Sequence, residues 1–473
     1  MATIASPGTT GNDIITPGDG NDTLYGDPFV DGHALNHGRG GNDVLSATGD
    51  YNSLFGDAQG MSGDGRGGND SLTVTGQRNS LYGDAHDMTG DARGGNDSLT
   101  VTGSAVDYNF NYLFGDAATM SGEARGGNDT LTGTGNDSRF FGDAHDMAGD
   151  ARGGNDGIAL SGDYCRIYGD AHSMSGDTRG GSDSLTLSGS QGRVYGDAYS
   201  MSDTTRGGSD SLNLGNGFST DLFGDAEYID GNARGGNDRL TVTGDSDFND
   251  LVGDAGVLGG HAVGGNDSIM SAASGLHERL IGDATSIFQY AHGGNDCLHA
   301  TGADTALFGD AGALDGYTVT SSGRLATLVQ GGNDLLLGGD GNDALRGDAG
   351  DVSGGVVCGA DILIGGAGND DLRGDFVRDQ SAHDGVVSNI TRGADVFVFA
   401  QGSDHDTIGD FQAGTDRIAI GRGYGFHSFA ALSGHISDNG AGDAVIHLNG
   451  ATDDITLTGV HTAALHASDF LFV

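Results

Sequence analysis

The stretch Gly67-Gly68-Asn69-Asp70-Ser71-Leu72-Thr73-Val74-Thr75-Gly76-Gln77-Arg78-Asn79-Ser80-Leu81-Tyr82-Gly83-Asp84-Ala85-His86-Asp87-Met88-Thr89-Gly90-Asp91-Ala92-Arg93 decides how this chain folds, because Gly94-Gly95-Asn96-Asp97 then starts the same pattern again. Ser71 to Thr75 alternate polar and apolar, the mark of a half-buried strand. Asn79 to Asp84 reads as a second short strand ended by glycine. Ala85 to Arg93 is turn-rich but keeps one apolar position, Met88. The unit divides into three nines, each with an apolar residue at a fixed place.

Working outward, Gly-Gly-Asn-Asp or Gly-Gly-Ser-Asp ends at Asp43, Asp70, Asp97, Asp129, Asp156, Asp183, Asp210, Asp238, Asp267, Asp296 and Asp334, an almost constant step with occasional inserts. A Gly-Asp turn, usually followed by Ala, keeps pace at Asp27, Asp57, Asp84, Asp116, Asp143, Asp170, Asp197, Asp225, Asp254, Asp283, Asp310, Asp348 and Asp375. No single unit can bury its apolar side. Stacked units would bury ladders such as Leu72/Leu99/Leu131, Leu54/Leu81/Leu113 and a Met row through Met61, Met88, Met120, Met147, Met174 and Met201. The expected fold is all-β: a right-handed parallel β-solenoid with 27-residue coils and a β-rich C-terminal cap domain.

Composition agrees. Of 473 residues 92 are Gly; the 21 bases are all Arg; only Glu123, Glu227 and Glu278 of the 67 acids are Glu, leaving 64 Asp and a formal charge of −46. Such a chain cannot be mainly helical, and net negative charge argues against a nucleic-acid partner. No apolar run suits a membrane span, and residues 1–13 lack the basic and apolar regions of a signal peptide, so export is expected to use another signal. Cys165, Cys297 and Cys358 are too few and too scattered for a disulfide framework.

Stacking such units places Asp above Asp at strand spacing, which is unfavourable unless a positive charge lies between. Lys is absent and Arg scarce, so a divalent cation is the simplest remedy. Glycine turns free backbone carbonyls for a hard cation, and the carboxylate points inward.

The stretches Gly11-Asn12-Asp13-Ile14-Ile15, Gly18-Asp19-Gly20-Asn21-Asp22-Thr23-Leu24-Tyr25-Gly26-Asp27, Gly338-Gly339-Asp340-Gly341-Asn342-Asp343-Ala344-Leu345 and Gly365-Gly366-Ala367-Gly368-Asn369-Asp370-Asp371-Leu372 resemble the nonapeptide of repeats-in-toxin (RTX) proteins. The resemblance implies a Ca²⁺-binding β-roll, with multiple Ca²⁺ ions on the Asp that closes each motif: Asp13, Asp22, Asp343, Asp370 and the eleven from Asp43 to Asp334. A strict β-roll takes two nonapeptides per turn, whereas these coils take three nines, the extra one following each Gly-Asp-Ala. Both Asp rows therefore stand as candidate ligands there, the second as Asp57, Asp84, Asp116, Asp143, Asp170 and Asp197. Gly393-Ala394-Asp395-Val396-Phe397-Val398-Phe399, Asp406-Thr407-Ile408-Gly409-Asp410-Phe411, Gly414-Thr415-Asp416-Arg417-Ile418 and the ending Asp469-Phe470-Leu471-Phe472-Val473 resemble the C-terminal region of serralysin-type proteases. That implies a cap carrying a signal for the type I secretion apparatus.

The expected organisation is an N-terminal nonapeptide coil (1–36), 27-residue coils (37–334), nonapeptide coils (335–389) and the cap (390–473). His277-Glu278-Arg279-Leu280-Ile281 lacks the second His of a zinc-protease helix, no nucleophile motif is present, and repeat plus cap leave no room for a catalytic domain. A non-enzyme is expected: a secreted, Ca²⁺-binding structural protein of the bacterial exterior, able to self-associate. The alternative is a Ca²⁺-dependent adhesin. Three further ladders bear on it. Arg39, Arg66, Arg93, Arg125, Arg152, Arg179, Arg206 and Arg234 precede the glycine pairs, with acids two places earlier at Asp64, Asp91, Glu123, Asp150 and Asp177. These read as an ion-pair ladder, or as a row for cell-surface glycan or lipopolysaccharide phosphate. Thr73/Thr75, Thr100/Thr102, Thr132/Thr134 and Thr241/Thr243 suit outward strand positions, with ice binding the alternative. Tyr25, Phe55, Tyr82, Phe114, Phe141, Tyr168, Tyr195 and Phe223 each adjoin a core residue, so they need cover from the extension after Gly-Asp-Ala or from another molecule.

Overall fold

The computed structural model describes residues 3–4, 9–16, 20–27, 34–103, 110–244, 246–273, 278–302, 304–320, 323–384, 388–450 and 452–473. Gly18, Asp19 and His277 of the motifs above lie outside them. The chain is nearly all β and builds a parallel β-solenoid of stacked coils. It divides into two compact units, Met1–Arg239 and Leu240–Val473. No helix among the described residues is long and apolar enough to cross a membrane.

In the first unit each coil contributes three strands, as in Ser71–Thr75, Ser80–Tyr82 and Asp87–Gly90. Each pairs in parallel with its counterpart in the next coil, so Leu72 lies beside Leu99, Leu81 beside Leu113 and Met88 beside Met120. These ladders are fully buried. The third segment, turn-rich by composition, is a strand because stacking pairs its backbone on both sides whatever its local propensity.

The aromatic row is covered from within. Phe55, Tyr82, Phe114, Phe141 and Tyr168 stack ring on ring at 4.6–4.9 Å, one strand spacing per coil. His86, His145 and His172, all from the segment after Gly-Asp-Ala, lie tilted over Tyr82, Phe141 and Tyr168 at 5.5–5.6 Å. That segment forms a lobe whose Met row, including Met88, Met147 and Met174, is buried.

In the second unit the same three-strand step continues. Leu336 pairs with Leu363, Leu345 with Leu372 and Val352 with Asp379. Segment 335–389, set apart in sequence by its nonapeptides, therefore stacks with all three strands. The extra residues before Asp334 form a hairpin, Ala311–Thr320 against Gly323–Ala326, that leaves the stack undisturbed. Stacking runs on past 390, where the sequence repeat is lost: Leu363 pairs with Phe397, Phe397 with Ile418 and Leu372 with Ile408. It then gives way to antiparallel pairing of Ile436–Asp438, Ala444–His447 and Asp454–Leu457.

Candidate metal centres

Each third-strand lobe is pinched shut by one hydrogen bond. The Asp of the Gly-Asp turn accepts from the N–H of the second glycine of the next pair: Asp57 from Gly68 at 3.1 Å, Asp143 from Gly154 at 2.9 Å, Asp170 from Gly181 and Asp197 from Gly208 at 2.8 Å. This brings the two Asp rows face to face across a narrow neck. Carboxylate oxygens of Asp27, Asp43 and Asp57 lie within 4.8 Å of one another, as do those of Asp57, Asp70 and Asp84.

In the first unit glycine keeps this neck narrow. A Cβ on Gly67 would fall 1.5 Å from Asp84 Oδ1, and one on Gly56 would fall 1.7 Å from the Gly83 carbonyl and 2.2 Å from Asp70 Oδ2. Backbone carbonyls and carboxylates from successive coils therefore converge on one space.

The first column holds Asp13, Asp43, Asp70, Asp97, Asp129, Asp156, Asp183, Asp210 and Asp238 in the first unit. Each Oδ1 of Asp70, Asp97, Asp129, Asp156, Asp183 and Asp210 accepts from the backbone N–H of the preceding coil's Asp at 2.6–2.7 Å. Their Oδ2 atoms, and that of Asp43, are buried and receive no hydrogen bond. Asp13 opens the column half-buried, its Oδ2 held by Thr9 Oγ1 at 2.8 Å. The second column holds Asp27, Asp57, Asp84, Asp116, Asp143, Asp170, Asp197 and Asp225, all 0–2 % exposed. In the second unit Asp267, Asp296 and Asp334 continue the first kind of column, and Asp254, Asp283, Asp310 and Asp348 the second.

Burial dominates the electrostatics. It holds Asp57, Asp97, Asp116, Asp156 and Asp170 far above the usual carboxylate range, with neighbouring carboxylates adding to the rise. Burial likewise pushes Asp70 up to about 9 and Asp84 and Asp143 to about 6. Orphaned anionic oxygens at this depth demand a cation or a proton. The donor set, carboxylate and carbonyl oxygen with no nitrogen, suits a hard cation such as Ca²⁺.

The structure corrects one grouping made from sequence. Asp22, Asp343 and Asp370 close the same motif as Asp70 but sit at a different corner, between first and second strands. In the first unit that corner continues from Asp22 as Asn52, Asn79 and Asn111, each amide oxygen accepting from the preceding coil's N–H at 2.8–3.0 Å. Asn52 also donates to the Gly49 carbonyl, so these buried amides need no cation. In the second unit Asp343, Asp370 and Asp406 hold the corner, each with a buried Oδ2 that receives no hydrogen bond. Thr305 fills it one coil earlier and Glu278 two coils earlier, the latter held by Ser271 and Asn249.

Sequence selection missed Asp361, Asp395 and Asp416, which extend the first column through backbone bonds of 2.8–3.2 Å. It also left the outer members of the second row, among them Asp375, unselected. The signal was present as Gly-Ala-Asp at Gly359 and Gly393, where Ala replaces Asn.

The Arg ladder is not an ion-pair ladder. Arg39 to Arg234 pair through their backbones, coil upon coil, with exposed side chains. Arg125, Arg152, Arg179 and Arg206 line a groove of about 500 Å³ with Glu123, Asp150, Asp177 and Thr204. Among the described residues none of these guanidiniums is in a salt bridge with those acids. No protein-family model matches the chain, and no curated protein matches its sequence.

Proposed function

We propose that this is a secreted structural solenoid of the RTX type, a component of the bacterial exterior that folds on meeting extracellular Ca²⁺. The observation that carries the reading is the pair of facing, buried Asp columns, the first of which keeps the Oδ2 atoms of Asp70, Asp97, Asp129, Asp156, Asp183 and Asp210 buried without a donor in a chain that has 21 Arg and no Lys. Asp57, Asp70 and Asp84, and their equivalents in each coil, would hold the ion. Bound Ca²⁺ supplies the positive charge that lets stacked carboxylates stay ionised in a dry neck.

The chain's own residues make this a switch. At the low Ca²⁺ of a cytoplasm, mutual repulsion among 67 acids keeps the chain unfolded and fit for a type I export channel. Outside the cell, Ca²⁺ binds the folded coils and draws the equilibrium toward them by mass action. The glycine turns and the C-terminal motifs like those of serralysins support export of this kind. Circular dichroism with and without EGTA tests the reading: a β spectrum that appears with Ca²⁺ and collapses on chelation is expected, and a full β spectrum after chelation overturns it.

A second reading, an adhesin, is favoured by the unpaired guanidiniums of the Arg125–Arg206 groove. Binding of an anionic glycan that is lost in an Arg93/Arg125/Arg152 triple Ala variant, with the Ca²⁺-induced β spectrum kept, would support it.

A further inference from the structure

The first residue of each neck turn decides what stands between successive carboxylates of the second column. In most coils it is glycine. At Gly331 a Cβ would fall 2.2 Å from Asp310 Oδ2 and 2.4 Å from Asp348 Oδ1. The next two coils place Cys358 and Arg392 at this position, as the bonds from Gly331 N to the Val357 carbonyl and from Cys358 N to the Thr391 carbonyl fix the register.

Arg392 shows what a side chain there does. Its Nη1 lies 3.0 Å from Asp375 Oδ2 and 3.9 Å from Asp410 Oδ2, so a guanidinium stands between two column carboxylates. Cys358 occupies the equivalent place one coil earlier. Its Sγ and oxygens of Asp348 and Asp375 lie within 4.8 Å of one another, and all three residues are buried. Asp348 is 0 % exposed, and its Oδ2 receives no hydrogen bond while Oδ1 accepts from Gly359 N at 2.6 Å. An unpartnered carboxylate oxygen and a sulfur thus face one dry space, in a column that elsewhere offers only oxygen.

We propose that Asp348, Cys358 and Asp375 form a mixed thiolate and carboxylate site for a borderline-soft divalent cation of the Zn²⁺ type, separate from the oxygen-only positions of the other coils. Thiolate donors select Zn²⁺ and its heavier congener Cd²⁺ over Ca²⁺, which takes oxygen. Asp375 shares its Oδ2 with Arg392 and with Gln412 Nε2 at 3.1 Å, which orients it as ligand partners do around metal sites.

Cd²⁺ is the probe. Titrated into the full chain held in Ca²⁺, it should raise a thiolate-to-metal charge-transfer band in the ultraviolet that saturates at about one ion per chain and is bleached by Zn²⁺. The band should vanish in Cys358→Ser and in Cys358→Gly, which restores the glycine of the other coils, and persist when Cys165 and Cys297 are both changed to Ser. No band in the parent chain, or one that survives Cys358→Gly, overturns the site. The β spectrum recorded alongside reports the Ca²⁺ reading separately, so an absent band with that spectrum intact rejects this site alone.

Discussion

The carboxylate of Asp57 accepts a hydrogen bond from the backbone N–H of Gly68 at 3.1 Å. That contact closes the third-strand lobe on itself and sets Asp57 against Asp70 and Asp84. The same bond recurs along the stack at Asp143, Asp170 and Asp197.

Removing one charge from the neck should weaken Ca²⁺ binding locally. Asp70→Asn keeps an Oδ1 that accepts from Asp43 N at 2.6 Å but removes the anion. The Ca²⁺ midpoint of folding should rise. Asp70→Ala should shift it further, because it also strands the Asp43 N–H at a cost of about 1–3 kcal/mol. Ca²⁺ titrations followed by circular dichroism compare the two.

Filling the neck should be worse than emptying it. In Gly67→Ala the new methyl meets Asp84 Oδ1 at 1.5 Å and Asp57 Oδ2 at 2.8 Å, both carboxylates being fully buried. A loss of about 3 kcal/mol or more is expected in saturating Ca²⁺. Gly434→Ala, with nothing within 4 Å of the added Cβ, should change stability by less than about 0.5 kcal/mol. Urea midpoints at fixed Ca²⁺ check the pair.

Arg392→Met should destabilise the second unit at any Ca²⁺ concentration. It leaves Asp375, 1 % exposed, without its guanidinium. Breaking such a pair costs about 3–5 kcal/mol when fully buried; because Arg392 itself is one-third exposed, about 2 kcal/mol is the expected loss. Urea denaturation with a probe in the second unit reads it.

Acid should partly replace the cation. Burial holds Asp70 at about 9 against an ordinary 3.8, and Asp84 and Asp143 at about 6. The folded state thus binds protons more tightly than the unfolded one. For these groups, stability is greatest below pH 4 and falls as pH rises from about 4 toward 9. Without Ca²⁺, lowering the pH from 8 to about 4 should increase β structure, and excess Ca²⁺ should flatten that dependence.

The repeat period is itself long-range information, and so the sequence by itself determined the stacking. Identical residues one period apart, such as Leu72 and Leu99 or Met88 and Met120, can bury one another only as neighbours in parallel strands. The same period marked the carboxylates that stack one above another in buried columns. What lies across a coil is not written in its period, because it depends on how the chain turns its corners. Only the tertiary structure set Asp57 against Asp70, moved Asp22, Asp343 and Asp370 to another corner, and folded His86 and His145 over the aromatic row. It alone left the Arg ladder unpaired and put Cys358 and Arg392 where other coils have glycine. Those outcomes rest on contacts between unlike residues within a coil, closed by backbone hydrogen bonds such as Gly68 N–H to Asp57 that no side-chain pattern announces.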